Sequence, residues 1–148
     1  MNAEYVNPFI QGSQRVLEQI CGIRPGLGKV LLRKPPHGSF PVCIAISIIG
    51  DLSGVAIYTM PPVTGLFIAS KMMMSEIKEL DFMSQSALCE LANMISGNVA
   101  TIFSEKELKV DIGPPEYFAD SFPNVNSNVV TIPLSLESGN VFEVGVCL

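Results

Sequence analysis

Histidine is nearly missing from this 148-residue chain: there is one, His37, in a Pro-Pro-His-Gly turn. That leaves little for a metal centre built on imidazole, since a tetrahedral zinc site needs about four nitrogen or sulfur ligands. The cysteines Cys21, Cys43, Cys89 and Cys147 lie far apart and form no CxxC pair. Three of them sit in apolar patterns, where a thiol packs as a small hydrophobe, so neither disulfides nor metal binding is expected of them. Positive charge is also short. Nine Lys and Arg stand against 14 Asp and Glu, for a net charge of −5, and the basic residues are scattered. A nucleic-acid groove wants them clustered. Although 48% of the residues are hydrophobic, no uninterrupted apolar run reaches the roughly 18 residues that span a bilayer. The longest, Val42–Ile49, has the length of a strand. No basic stretch followed by an apolar core opens the chain, so no signal peptide is read and the cytoplasm is the expected compartment. GxGxxG, P-loop and GxSxG patterns are absent. The length suits one domain over residues 1–148, large enough to bury about 68–70% of its unfolded surface without a covalent staple.

What the chain does have is an unusual helix. In Ser86-Ala-Leu-Cys-Glu90-Leu-Ala-Asn93-Met-Ile-Ser-Gly97-Asn and its continuation, Leu88, Leu91, Ala92, Ile95, Val99, Ile102 and Phe103 recur at steps of three and four. They therefore share one face. The opposite face carries Ser86, Glu90, Asn93, Gly97, Ala100 and Ser104. A solvated helix face normally bears long charged side chains of helix-favouring types. This one has a single carboxylate among small residues. Relative to Ala, an interior Asn costs roughly 0.5–0.7 kcal/mol and Gly about 1 kcal/mol. A smooth face with one carboxylate and one carboxamide at i, i+3 is suited to the approach of another surface.

Around that helix, expected from about Asp81 to Glu105, the chain reads as alternating elements. A first helix is expected from about Asn7 to Cys21, with Phe9, Val16, Leu17 and Ile20 inward and Gly22, Pro25, Gly26 and Gly28 ending it. Strands are expected at Val30–Arg33, Val42–Ile49 and Val55–Met60, the last two joined by a hairpin loop from Gly50 to Gly54. Pro61-Pro62 stops the third strand. A short helix from about Thr64 to Met74 follows, its three methionines expected as gap-filling core. Strands are expected again at Leu108–Ile112, Asn128–Leu136 and Val141–Cys147.

The two halves look related. Lys29-Val30 followed by Pro35-Pro36 echoes Lys109-Val110 followed by Pro114-Pro115, and each half then gives an apolar strand, a glycine-bearing hairpin and a second apolar strand. The order implies an α/β duplication with pseudo-twofold symmetry, its antiparallel strands packed against long helices. In this repeat Ser86-x3-Glu90-x2-Asn93 is matched by Gln14-x3-Glu18-x2-Cys21. The carboxylate is kept and the carboxamide is replaced by a thiol.

At these residues the chain resembles the CheX branch of the CheC/CheX/FliY phosphatase family of bacterial chemotaxis. The resemblance covers nearly the whole chain. It includes Asn7-Pro8-Phe9-Ile10, Gly50-Asp51…Gly54…Tyr58-x-Met60, Ile68-Ala69-Ser70, Ser86-x3-Glu90-x2-Asn93 and Asp111-Ile112-x-Pro114-Pro115. It implies a CheC-like fold and hydrolysis of the aspartyl phosphate on a CheY-type response regulator. Glu90 and Asn93 are carried over as the site residues, with Ser86, Gly97 and Ala100 as small neighbours that let the partner approach. It implies no cofactor of the chain's own, Mg2+ being the response regulator's, and a homodimer with one active helix per subunit. A binding-only module on the same partner, a structural part of a flagellar-switch assembly and a small-molecule sensor are the competing readings. No polar cluster inside an apolar pattern supports the last.

Overall fold

The computed structural model describes residues 3–34 and 40–148. His37 and the Pro35-Pro36 half of the sequence echo fall outside the described residues. Among the described residues, three α-helices and eight strands form a mixed α/β structure. In chain order they are α1 (Ala3–Cys21), β1 (Gly26–Leu27), β2 (Leu31–Arg33), β3 (Val42–Gly50), β4 (Gly54–Met60), α2 (Pro62–Met73), α3 (Phe82–Glu105), β5 (Val110–Ile112), β6 (Glu116–Ala119), β7 (Val129–Ser135) and β8 (Val141–Cys147). The strands make one antiparallel sheet in the order β1-β7-β8-β4-β3-β5, with β2 continuing β1 along β7 and β6 continuing β5 along β3.

That order carries the pseudo-twofold. Each half gives a broken edge strand and a hairpin, and each edge strand pairs with the hairpin of the other half. The breaks match. Between β1 and β2 the Gly28 N–H donates to the Pro133 carbonyl at 2.9 Å, and between β5 and β6 the Gly113 N–H donates to the Ser47 carbonyl at 2.9 Å. Each is a one-residue bulge, and at Gly28 a Cβ would lie 2.9 Å from the Pro133 ring. These two bulges correct the register of the repeat: with Gly28 equivalent to Gly113, Lys29 corresponds to Pro114 and not to Lys109.

Strand alternation sends one set of side chains to the helices and the other to the opposite face. Ile44, Ile46, Ile48, Tyr58, Met60, Ile132, Leu134, Phe142, Val144 and Val146 join Phe9, Val16, Leu17, Leu88, Leu91, Ile95, Val99 and Phe103 in the main core. A smaller cluster of Cys43, Ile57 and Val129, with Val125 laid against it, forms on the other face. There the Arg33 guanidinium of β2 donates to both Glu143 carboxylate oxygens of β8 at 3.2 and 3.3 Å, tying the swapped edge to the sheet centre.

Three expectations change. α1 begins at Ala3 and not at Asn7, although Pro8 then falls inside the helix and removes one hydrogen bond. Burial of Val6 and the contact of Tyr5 with Phe103 offset that loss. The methionines of α2 fill the core only in part: Met72 is half-buried against it, Met73 is half-buried, and Met74 is 92% exposed in a left-handed cap whose N–H donates to the Ser70 carbonyl. β1 and β6 add strands where the sequence suggested none.

Gly54 opens β4 where a Cβ would sit on the Cys147 carbonyl oxygen of β8. Backbone cannot yield as a flexible side chain can. Gly54→Ala is therefore expected to lower the unfolding free energy by at least about 2 kcal/mol, measured by urea denaturation. A loss within error of zero would mean that β4 and β8 do not close as tightly as described.

Candidate functional site

The α3 helix is fixed at its start by a cap. The Asp81 carboxylate accepts from the Ser84 N–H at 3.0 Å and from the Ser84 hydroxyl at 2.9 Å. These hydrogen bonds, the backbone one foremost, hold the Asp81 carboxyl below the usual carboxylate range. Gln85 adds a bond from its side-chain amide to the Leu80 carbonyl at 2.9 Å. The inner face is fixed by packing: Leu88, Leu91, Ala92, Ile95, Val99, Ile102 and Phe103 are all buried, as their spacing implies. Midway, Ser96 and the buried Tyr58 of β4 share a 2.7 Å hydrogen bond. Burial drives the Tyr58 phenol well above its ordinary pKa, so the hydroxyl stays neutral. The helix is thus held to the sheet by groups that leave its outer face unused.

On that outer face Glu90 and Ser86 are exposed, and Asn93, Gly97 and Ala100 are half-buried. Ser86, Glu90 and Asn93 meet in one groove of about 360 Å3, whose other lining residues are Phe82, Gln85, Cys89, Pro115 and Tyr117. Gly97 and Ala100 do not line it and lie farther along the same helix face. Neither Glu90 nor the Asn93 carboxamide makes a side-chain hydrogen bond among the described residues, so the donor and acceptor of Asn93 are both available. Burial pushes the Cys89 thiol up. The Tyr117 phenol is pushed up by burial first, then by Cys89 and Asp120. At neutral pH both stay protonated, and Glu90 is the groove's one carboxylate. No three of His, Cys, Asp and Glu come together as a metal cluster among the described residues.

Pro115, Tyr117 and Phe82 are the part of the groove that the sequence reading missed. The first two belong to the β5–β6 edge, and β6 exists because it pairs with β3, a partner about seventy residues earlier in the chain. Phe82 and Met83 did leave a signal: two large apolar residues directly after a helix cap, where acidic residues are the usual choice. A larger depression of about 670 Å3 lies between α2 and the turn at Ser138–Asn140. Its lining includes Val63, Leu66, Phe67 and Ile77 together with Glu76 and Asn140, but the Asn140 carboxamide is spent within the fold, accepting from the Thr64 hydroxyl at 3.2 Å and donating to the Glu137 carbonyl at 3.1 Å, so the smaller groove is the better candidate for chemistry.

The corresponding face of α1 differs in two ways. Gln14, the counterpart of Ser86, is engaged: its amide donates to the Pro25 carbonyl at 3.1 Å and its oxygen accepts from Arg24 at 3.1 Å. Cys21, the counterpart of Asn93, is the last residue of the helix, where α3 runs on to Glu105. Its thiol is pushed up by burial, then by Glu137, against an opposing effect of Lys71.

Gly97 has no reason in the fold. A Cβ there would meet nothing within 4 Å, yet glycine inside a helix costs about 1 kcal/mol relative to Ala. Gly97→Ala is expected to raise the unfolding free energy by up to about 1 kcal/mol in thermal or urea melts. A destabilised variant would show that the fold itself needs glycine at this position.

A family model for the chemotaxis phosphatase CheX matches residues 42–135. The CheY-P phosphatase CheX of Thermotoga maritima is 31% identical over 97% of this chain and 94% of its own length. A chemotaxis protein CheX from Desulfovibrio desulfuricans superposes with a TM-score of 0.86 at 23% identity, covering 98% of this chain and 99% of that one, a likeness of fold. CheX in a CheX–CheY–BeF3–Mg2+ complex from Borrelia burgdorferi superposes with a TM-score of 0.81 at 29% identity, covering 95% of each chain.

Proposed function

This chain belongs to the chemotaxis phosphatase CheX family, and from that premise we propose that it hydrolyses the aspartyl phosphate of a CheY-type response regulator in the cytoplasm, with Asn93 positioning the attacking water and Glu90 docking to the partner. The observation that carries this reading is the pairing in one open groove of a carboxylate and a carboxamide with no internal partner, on a helix whose other face is locked in the core. The CheX–CheY complex of a relative supports the choice of partner.

An acyl phosphate is already reactive. In hydrolysis the water oxygen bonds to phosphorus, the bond from phosphorus to the aspartate oxygen breaks, and the aspartate carboxylate and inorganic phosphate separate. Little covalent chemistry is needed from the helper, and positioning and charge neutralisation are the main levers. The receiver's Mg2+ and a receiver lysine neutralise the phosphoryl oxygens. Asn93 holds a water in line with the departing oxygen by accepting from it or donating to it. A carboxamide does this without gaining or losing a proton, so the groove needs no histidine. Glu90, one turn earlier, pairs with the partner's lysine and sets the register of docking. Ser86, Gly97 and Ala100 keep the rest of the face low. A Cβ-free position at Gly97, unexplained by packing, is what the close approach of a partner backbone requires.

Asn93→Ala is expected to cut phosphate release from a phosphorylated CheY-type receiver by about 10²-fold or more, with the fold unchanged. A wild-type rate in the variant would remove Asn93 from the chemistry. A wild-type protein that binds the receiver without accelerating phosphate release would instead be an interaction module. Glu90→Ala should lower activity and Glu18→Ala should not, because the α1 face has a thiol in place of the carboxamide and Gln14 is tied to Pro25. Equal losses would mean that neither effect is local to α3.

We further propose that two copies associate through the β1–β2 edge. Leu27, Leu31 and Leu32 are exposed there on strands at the end of the sheet, whereas the opposite edge borders the groove. A dimer is expected in sedimentation at micromolar concentration. A monomer under those conditions would overturn this assignment.

A further inference from the structure

Phe82 is 80% exposed and Met83 is 60% exposed, side by side in the first turn of α3. Side chains this exposed bury little apolar area in the fold, and the Asp81–Ser84 cap bonds do not involve them. Phe82 nevertheless shares the groove of Glu90 and Asn93, facing the wall made by Pro115 and Tyr117. It begins the same stripe, since 82, 86, 90, 93 and 97 follow one another at steps of three and four.

We propose that Phe82 is the apolar anchor by which the groove grips the phosphorylated receiver, setting affinity and the choice of receiver while Asn93 sets the rate. This rests on the phosphatase reading of the groove and adds the chemistry of the surface recognised: an apolar patch on the receiver about 16 Å from the phosphorylated aspartate. Phe82 and Asn93 stand on one straight helix about 16 Å apart at 1.5 Å per residue. A standard interface covers roughly 800 Å2 of each partner, a patch roughly 30 Å across. A receiver seated on the groove, between Phe82 and Asn93, therefore covers both. The groove offers it one charge, Glu90, and otherwise apolar or small neutral surface. Interface energy concentrates in a few aromatic anchors set in a pocket next to such a polar contact.

The test compares three full-length variants against a CheY-type receiver of the same host. Affinity is measured with the receiver loaded with beryllofluoride and Mg2+, a stand-in for the phosphoryl group, and kcat and KM are measured with the phosphorylated receiver. Phe82→Ala is expected to raise Kd and KM about tenfold with kcat within about twofold of wild type. Phe82→Leu, which keeps apolar area, should recover most of the affinity. Asn93→Ala should show the reverse split, with kcat lost and Kd kept. Unchanged affinity in Phe82→Ala beside an active wild type overturns the anchor and leaves the phosphatase reading standing. A fall in kcat at saturating receiver also overturns it, because Phe82 would then act on the chemical step. If Phe82→Ala alters sedimentation and not receiver affinity, the occupant is a second copy and the anchor is wrong. A wild type that neither binds nor dephosphorylates the receiver removes the phosphatase reading and the anchor together.

Discussion

The pairing of β4 with β8, from Val55–Cys147 to Thr59–Glu143, joins two hairpins that would otherwise be separate units. Neither hairpin has a complete sheet alone. Each is finished on its far side by the broken edge strand of the other half, so the seam holds two exchanged pieces in place. The tight contact at Gly54 and the buried Tyr58 both belong to this seam. Through the Tyr58–Ser96 hydrogen bond the seam also sets the height of α3 above the sheet. The position of the groove follows, because its two walls are α3 and the β5–β6 edge, and both are held by the same sheet.

The duplication gives one chain two chances at the same site, and the two halves use them differently. In the second half the helix continues well past Asn93, so the carboxamide sits on a stiff rod with packed residues on both sides along the axis. In the first half the equivalent position is the terminal residue Cys21, followed by Gly22 with a positive φ of 79°. A helix end frays, and a group placed there is held less firmly than one in the interior. The lost carboxamide and the shortened helix agree with each other. The carboxylate that remains, Glu18, lies on a face partly taken up by Gln14, Arg24 and Pro25.

Much of this was legible in the sequence where the signal was local. The inner face of α3, its start near Asp81, the β3–β4 and β7–β8 hairpins and the Glu90–Asn93 spacing follow from periodicity and turn residues alone. The misread parts depend on distant partners. Glu116–Ala119 is too short to announce itself as a strand and becomes one by pairing with β3. The halves were aligned by a shared Lys-Val pair, whereas the bulges at Gly28 and Gly113 set the true correspondence. Met74 looked like core by composition but falls where α2 must end. One wall of the groove was invisible for the same reason: Tyr117 and Pro115 come to the side of Asn93 through the sheet and not through sequence.

The exchange of edge strands also fixes an order of events during synthesis. β1 and β2 leave the ribosome early, yet their partner β7 is made only after α3, and Arg33 meets Glu143 only once β8 is made. Such distant closures make folding slow, because loop entropy is lost before the contacts that reward it can form. Meanwhile α3 is already complete, with Leu88, Leu91, Ile95 and Phe103 on one side and half of its sheet still missing. The helix that serves the groove is therefore the segment most in need of protection in a nascent chain.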